Sequence, residues 1–299
     1  MTTGFKSKAG LSRLGSSGSL FLFLLAASLP VWWGPLSATL RLSFAHEEYT
    51  HILLVLPFTA GLLYIENRRW REGLRDGIWP GVALLSAALL LLILTHVRAF
   101  SLPADAQLAW SMLALVLWWL GSIVLCFEGG LVRVSWLSLG LLFFVIPLPE
   151  TVLGRLIEFL QYRSADSAQL MFQAIGTPVT QDGVLLSLPG LNLEVARECS
   201  SIRSSMVLAV TTIVLAQVLL RSWWRRALLL LAVIPLSFIK NGLRIFVLSE
   251  ISRRIDPNIF DSGWHHQGGS IFLGVALAAM IGLVWWLRRS EARGFEAKA

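Results

Sequence analysis

Long runs of apolar residues recur along the chain, and shorter polar connections separate them. A helix needs about 20 such residues to cross the hydrocarbon core of a bilayer, which is about 30 Å thick. Eight runs reach this length or come close to it. The pattern therefore predicts an all-α polytopic membrane protein with about eight spans, at 20–40, 50–65, 79–97, 108–127, 134–148, 202–220, 227–247 and 269–287.

Two irregular runs leave the number of spans at seven or eight. The second run is short, and Pro147 and Pro149 interrupt the fifth near its end. The first run is long, contains Pro30 and Pro35, and does not end in the small-residue site of a cleavable signal peptide. We therefore expect the first run to be a span.

The charges predict the orientation of these spans. With eight spans and a cytoplasmic N-terminus, the inner segments hold fifteen Lys and Arg against six acids, and the outer segments hold seven against twelve. Positive charge is expected on the cytoplasmic side of any such protein, so the net charge of +7 does not indicate nucleic-acid binding. The basic tail at 288–299 is predicted to be cytoplasmic and to touch anionic lipids.

Composition excludes two other classes of protein. The chain is 56% apolar and 14% charged, which excludes a disordered chain. Its two cysteines, Cys126 and Cys199, are too few for a disulfide-built secreted module. Cys126 is predicted at the inner end of the fourth span, where it cannot reach Cys199 and has a packing role. We expect one integral membrane domain over 1–299.

Only one connection is long, the roughly 50 residues of 149–201 on the predicted outer side. Loops of this size usually have a function. Apolar and charged residues mix over 151–175, which predicts an amphipathic helix on the membrane surface. Gly and Pro at 176–178, 183 and 189–190 separate two short apolar runs and predict a small hairpin. The insert is therefore expected to lie on the side of the membrane that carries the site.

Six residues can carry chemistry, and five of them converge on the predicted outer face, with Lys240 one helical turn deeper in its span. Charged groups inside a span are costly unless they are paired, hydrated or functional. Three cations fall inside predicted spans, a cysteine lies one helical turn before the first of them, and a histidine pair precedes the eighth span. They are Cys199, Arg203, Lys240, Arg244, His265 and His266.

A thiol, guanidinium groups and an imidazole together favour acyl-transfer chemistry. A neighbouring cation lowers the pKa of a thiol, and Arg or His can stabilise the charge that develops in the reaction. Taken singly, each residue also fits a structural role: Cys199 as a small packed residue, Arg203 and Arg244 as cations that reach the interface, and the histidines as a helix cap. A serine nucleophile at 200, 201 or 270 is a further alternative.

The sequence predicts neither a metal site nor a cofactor. His46 and His51 are five residues apart, which differs from the spacing of a zinc-protease helix, and no paired cysteines accompany them.

Several motifs, in this order, resemble the exosortase/archaeosortase family of membrane cysteine transpeptidases. The resemblance runs from about Tyr49 to Phe272, over most of the chain. The motifs are Tyr49-Thr-His51, Ile146-Pro-Leu-Pro, Gly176-Thr-Pro-Val-Thr-Gln-Asp-Gly183, Leu188-Pro-Gly190, Val195-Ala-Arg-Glu-Cys199-Ser-Ser-Ile-Arg203-Ser, Asn241-Gly-Leu-Arg244-Ile and His265-x-x-Gly268-Gly269-x-x-Phe272.

The resemblance implies a catalytic set of Cys199, Arg244 and His265. His265 is preferred to His266 because the family pattern leaves three residues between the histidine and the glycine at 269. His266 is the alternative catalytic histidine and is assigned, with Arg203, Lys240 and Asn241, as a supporting residue. Ser201 stands where many bacterial members have glycine, which is a departure from the family pattern next to the nucleophile.

The resemblance also implies a function and a location. Exported proteins with a C-terminal tripartite signal, consisting of a Pro-Glu-Pro-like motif, one span and a basic tail, would be cleaved through a Cys thioester and transferred to a surface acceptor. The enzyme would lie in the bacterial inner membrane with its site on the periplasmic face, without a cofactor. The competing interpretations are an anion transporter or channel that uses the intramembrane cations, and a non-enzymatic envelope scaffold.

Overall fold

The computed structural model of the protein describes residues 5–66, 78–97, 102–127, 130–195, 202–256 and 269–296, with the backbone alone at 5–17, 130–134 and 294–296. The described chain is mostly helical and forms two compact units, Met1–Glu150 and Thr151–Ala299. Six of its helices are long and apolar enough to cross a membrane, or eight spans result if each of two bent helix pairs counts as one. This number agrees with the predicted all-α polytopic fold.

The first unit is built from six α-helices within the described ranges. They are α1 (Phe5–Val31), α2 (Trp33–Ala45), α3 (Ile52–Glu66), α4 (Trp79–His96), α5 (Ala104–Cys126) and α6 (Gly130–Gly140), with 3₁₀ turns at Glu47–Tyr49 and Leu141–Val145.

The first predicted span is a bent pair rather than one straight helix. α1 and α2 differ in direction by 76°, and Trp32 between them has φ −105° and ψ 17°. Pro35 accounts for the break, because a proline ring clashes with the carbonyl four residues earlier, here that of Val31. The hydropathy of the run predicted its length and not this bend.

Close backbone contact joins α4 to α5. A Cβ added at Gly81 would lie 2.7 Å from the nitrogen of Leu125, and one added at Gly121 would lie 3.0 Å from the nitrogen of Leu85. Both contacts join the early part of α4 to the late part of α5, and their order along the two helices is that of an antiparallel pair. Cys126, the last residue of α5, is partly buried.

The fifth predicted span is shorter than the sequence indicated. α6 and the following 3₁₀ turn end at Val145, just before the first proline of the Pro-Leu-Pro segment, and Ser135 inside α6 is not helical. The region qualifies as a span only when it is counted together with the next helix. Because this region is too short to count as a span by itself, the number of spans depends on how it is counted.

The second unit combines long helices with a small sheet. Its elements are α7 (Glu150–Ala174), β1 (Thr180–Asp182), β2 (Leu185–Leu188), β3 (Leu191–Glu194), α8 (Ile202–Leu219), α9 (Trp223–Arg254) and α10 (Gly269–Glu296).

The small sheet has three strands where the sequence predicted a two-stranded hairpin. β1 pairs antiparallel with β2, and β2 pairs antiparallel with β3. Each connection is a two-residue turn, and Gly183 and Gly190 provide the positive φ angles of 61° and 82° that such turns need. Two such turns join three strands, and the third strand, Leu191–Glu194, was not predicted from the sequence.

Helix α7 covers the sheet with one face, and its limits agree with the predicted helix at 151–175. Ala165, Ala168 and Phe172 are buried in one apolar cluster with Leu186 and Leu188 of β2. Other apolar residues of the helix, among them Val152, Phe159 and Leu170, are exposed. The exposed set fits the predicted contact with the membrane surface, which remains a prediction, as does the outer location of the insert.

A buried carboxylate links the α8–α9 connection to α10. Glu291 of α10 accepts hydrogen bonds from the backbone N–H groups of Arg221 and Ser222 at 3.2 and 2.7 Å, and it lies 3.3 Å from Arg225. These donors include the cap of α9, where a negative charge is favourable. Three helices are therefore tied together at one end.

Candidate active site

The predicted catalytic residues divide into those that the structure describes and those that lie outside it. Cys199, His265 and His266 fall in 196–201 and 257–268, outside the described residues. Arg203, Lys240, Asn241 and Arg244 are described, and so are both flanks of the Cys199 segment.

The flank before Cys199 is fixed at Val195. Its N–H donates to the carbonyl of Val184 at 2.9 Å, and its own carbonyl accepts a hydrogen bond from Gln161 Nε2 of α7 at 2.7 Å. The Val195 side chain is fully buried in the apolar cluster that also contains Ile245, the residue after Arg244. The chain therefore enters the Cys199 segment from the same packed core as the Arg244 turn.

The flank after Cys199 is fixed at the first turn of α8. Ile202, its first residue, is buried in a cluster with Ile157 and Leu160 of α7. Arg203 follows and is exposed. Both flanks of the segment are thus held against α7, one by a hydrogen bond and the other by apolar packing.

Helices α8 and α9 run antiparallel in a register that two pairs of side chains define. Near the connection, Arg226 donates to Gln217 Oε1 at 2.7 Å. The second contact lies thirteen residues earlier on α8 and fourteen residues later on α9. There, Lys240 Nζ donates to Ser204 Oγ. Arg244 is one turn beyond Lys240 on the same face of α9, toward the start of α8.

Three polar residues of this α9 turn are buried. Lys240, Asn241 and Arg244 are 3%, 1% and 8% exposed, in a helix that qualifies as a span. Lys240 also donates to Asn241 Oδ1 at 2.8 Å. Two cations one turn apart in an apolar helix are expensive, and such groups typically mark functional sites.

A glycine brings α7 close to the same turn. A Cβ at Gly242 would lie 2.5 Å from Ser167 Cβ and 3.0 Å from both the Ala168 nitrogen and the Ser164 carbonyl oxygen. Only a residue without a side chain permits this crossing. Gly242 lies between Lys240 and Arg244 in sequence, so the contact fixes α7 against the turn that carries both cations.

Three residues of this arrangement were not predicted from the sequence. Ser204 and Gly242 lie inside motifs that resemble the family, yet their roles depend on contacts between helices. Gln161 lies in no motif, and only its contact with Val195 reveals it.

The His46–His51 region belongs to the first unit and is described. His51 is buried, its Nδ1 lies 3.0 Å from the Glu48 carbonyl oxygen, and its ring meets that of Phe144 edge-on at 6.4 Å. These contacts indicate a packing role for the His51 ring. Among the described residues, no three His, Cys, Asp or Glu side chains form a group that could hold a metal.

Comparison with protein families identifies the family of the chain. The model of the transmembrane exosortases matches residues 32–282, which is most of the chain. The chain belongs to this family. The match confirms the resemblance, and together with the apolar helices it identifies a multi-pass membrane exosortase. Neither the curated proteins nor the solved structures contain a significant match to it.

Proposed function

We propose that this exosortase is a membrane cysteine transpeptidase that cleaves the C-terminal tripartite signal of exported proteins. Its substrates would be anchored by their own span, with the signal motif at the outer interface and the basic tail inside. The enzyme would lie in the bacterial inner membrane, and Cys199, Arg244 and His265 would act on the periplasmic side.

The register of α8 and α9 is the observation that supports this proposal most strongly. Cys199 precedes α8 by three residues, and Arg244 lies one turn past the Lys240–Ser204 contact, toward the start of α8. One turn is about 5.4 Å along a helix axis, so the register favours a guanidinium level with the Cys199 segment. The shared cluster of Val195 and Ile245 supports the same convergence from the other flank.

The proposed first step forms a thioester. The Cys199 thiolate attacks the carbonyl carbon of the scissile peptide bond, and His265 stabilises the tetrahedral oxyanion. The carbon–nitrogen bond then breaks, and Arg244 assists by donating a proton or a hydrogen bond to the leaving nitrogen.

The second step releases the protein from the enzyme. An amine or other nucleophile of a surface acceptor attacks the thioester carbonyl and loses its proton, the carbon–sulfur bond breaks, and the Cys199 thiolate is regenerated. The exported protein is then attached to the acceptor. If water attacks instead, the product is a free carboxylate and the enzyme acts as a protease. These steps involve no cofactor.

Co-expression with a substrate tests the proposal. An exported reporter that carries a tripartite tail is expected to be shortened by the wild-type enzyme and to remain full-length with Cys199→Ala or Cys199→Ser. Cys126→Ala is the matched control, and it is expected to process normally because the sequence predicts that thiol at the inner end of the fourth span, where it cannot reach Cys199. Processing that continues in both Cys199 variants would refute the assignment.

An anion pathway is the second candidate, because Lys240 and Arg244 form a buried pair of cations within one span. This function predicts anion flux in proteoliposomes that Arg244→Ala abolishes and Cys199→Ala leaves unchanged. The transpeptidase predicts no such flux. Labelling of Cys199 by a small thiol reagent added from outside would further support the enzyme, since neither a pathway nor a scaffold needs a reactive thiol there.

A further inference from the structure

Lys240 is a buried cation beside Arg244 for which the proposed chemistry has no step. Its ammonium donates to Ser204 Oγ on α8 and to Asn241 Oδ1 on its own helix. Both acceptors are neutral, and the nearby charge is the guanidinium of Arg244, which repels it. No carboxylate forms an ion pair with Lys240 among the residues that the structure describes.

Within the described residues, these contacts of Lys240 are poorly suited to stability alone. A buried charge without an opposite charge costs several kcal/mol, and an apolar side chain of similar length would avoid that cost. A like charge one turn away adds to it. A link that costs stability and lies next to the site is typical of a residue that fixes geometry.

We propose that Lys240 is a positioning residue of the active site, and that its bond to Ser204 sets the height of Arg244 relative to the Cys199 segment. The inference rests on the proposed transpeptidase reaction. In this role Lys240 acts by holding the first turn of α8 against the turn of α9 that carries Arg244.

Lys240 is well placed for this role because two other described contacts of α9 restrain other regions of the helices. The Arg226–Gln217 bond lies at the opposite end of the α8–α9 pair, and Gly242 fixes α9 against α7. The Lys240–Ser204 bond joins α8 and α9 themselves, two residues from the start of α8. Its loss would remove this restraint on the first turn of α8, and a misplacement of about 1 Å can lower a rate by about 100-fold.

Kinetics with the full-length enzyme in proteoliposomes and a substrate with a tripartite tail test the proposal. Lys240→Met and Ser204→Ala are each expected to lower kcat by about 10- to 100-fold, with KM within about twofold of wild type. The double variant is expected to be no slower than the slower single variant, because both substitutions break one link. Ser204→Thr keeps the hydroxyl and is expected to restore most of the rate.

Ser205→Ala is the matched control. Ser205 is the next residue of α8 and is also buried, and its hydroxyl makes no hydrogen bond within the described structure. This variant is expected to keep the wild-type kcat. Full activity of Lys240→Met, or additive losses in the double variant, would overturn the positioning role.

A thiol readout separates this inference from the proposed function. In a Cys126→Ala background, Cys199 is the one remaining thiol, and its rate of alkylation is measured across pH. Lys240→Met and Ser204→Ala are each expected to change this pH profile of alkylation, whereas Ser205→Ala is expected to leave it unchanged. If cleavage does not depend on Cys199, the proposed function fails while this profile still reports the link. If cleavage depends on Cys199 but neither Lys240→Met nor Ser204→Ala changes the profile or kcat, the link fails alone.

Discussion

Lys240 of α9 donates a hydrogen bond to Ser204 of α8, five residues after the candidate nucleophile Cys199 in sequence. Together with the Arg226–Gln217 bond near the α8–α9 connection, this contact defines an antiparallel register. Arg244 consequently lies at the end of the pair where the Cys199 segment joins α8. This register makes specific substitutions informative.

Arg244→Lys is expected to lower processing nearly as much as Arg244→Ala does. Lysine keeps the charge but loses the planar set of donors that the proposed leaving-group interaction requires. Removing one such donor typically costs about 100- to 1,000-fold in kcat. The rate of reporter cleavage at saturating substrate measures the loss, and a lysine variant with wild-type activity would show that charge alone suffices.

Gly242→Ala is expected to destabilise the second unit, because its Cβ would overlap Ser167 Cβ and approach the α7 backbone. Overpacking of this kind typically costs about 1–3 kcal/mol. Thermal unfolding in detergent measures the effect. Gly282→Ala on α10 is the control, since a Cβ there meets nothing within 4 Å. A normal unfolding temperature for Gly242→Ala would mean that α7 does not cross α9 at this point.

Glu291→Gln is expected to loosen the connection between α8 and α9 from α10. The neutral amide keeps an acceptor but loses the charge that faces two backbone N–H groups and Arg225. Hydrogen bonds to charged groups contribute about 1.5–3 kcal/mol, so the unfolding temperature should fall. Glu158→Gln, on the exposed side of α7, provides the comparison and is expected to unfold like the wild type. Equal unfolding temperatures for the two variants would contradict the proposed tie.

Gln161→Leu is expected to slow processing without preventing insertion into the membrane. The substitution removes the donor that holds the Val195 carbonyl, four residues before Cys199. A carbonyl that loses its partner costs about 1–3 kcal/mol, and the flank can move to avoid that cost. We expect a decrease in kcat of about tenfold, the equivalent of 1.4 kcal/mol. Gln173→Leu, at an exposed position of the same helix, serves as control, and an equal decrease there would exclude a specific role for Gln161.

The apolar runs and the motifs determined the class of protein and the residues to test. Length and hydropathy predict spans because a bilayer imposes one length on every crossing helix, and the family match over 32–282 confirmed the resemblance carried by the motifs. The helix at 150–174 and the turns at Gly183 and Gly190 could also be predicted from the sequence, since each depends on residues close together in the chain.

The tertiary structure alone decided how helices meet. The bend between α1 and α2, the third strand of the sheet and the close crossing at Gly242 arise from local sterics and from packing between distant segments, which hydropathy does not encode. The same holds for the contacts of Gln161 with Val195 and of Lys240 with Ser204. A sequence shows which side chains can react or bind, whereas the register between helices depends on the packing of many side chains at once and appears only in the folded chain.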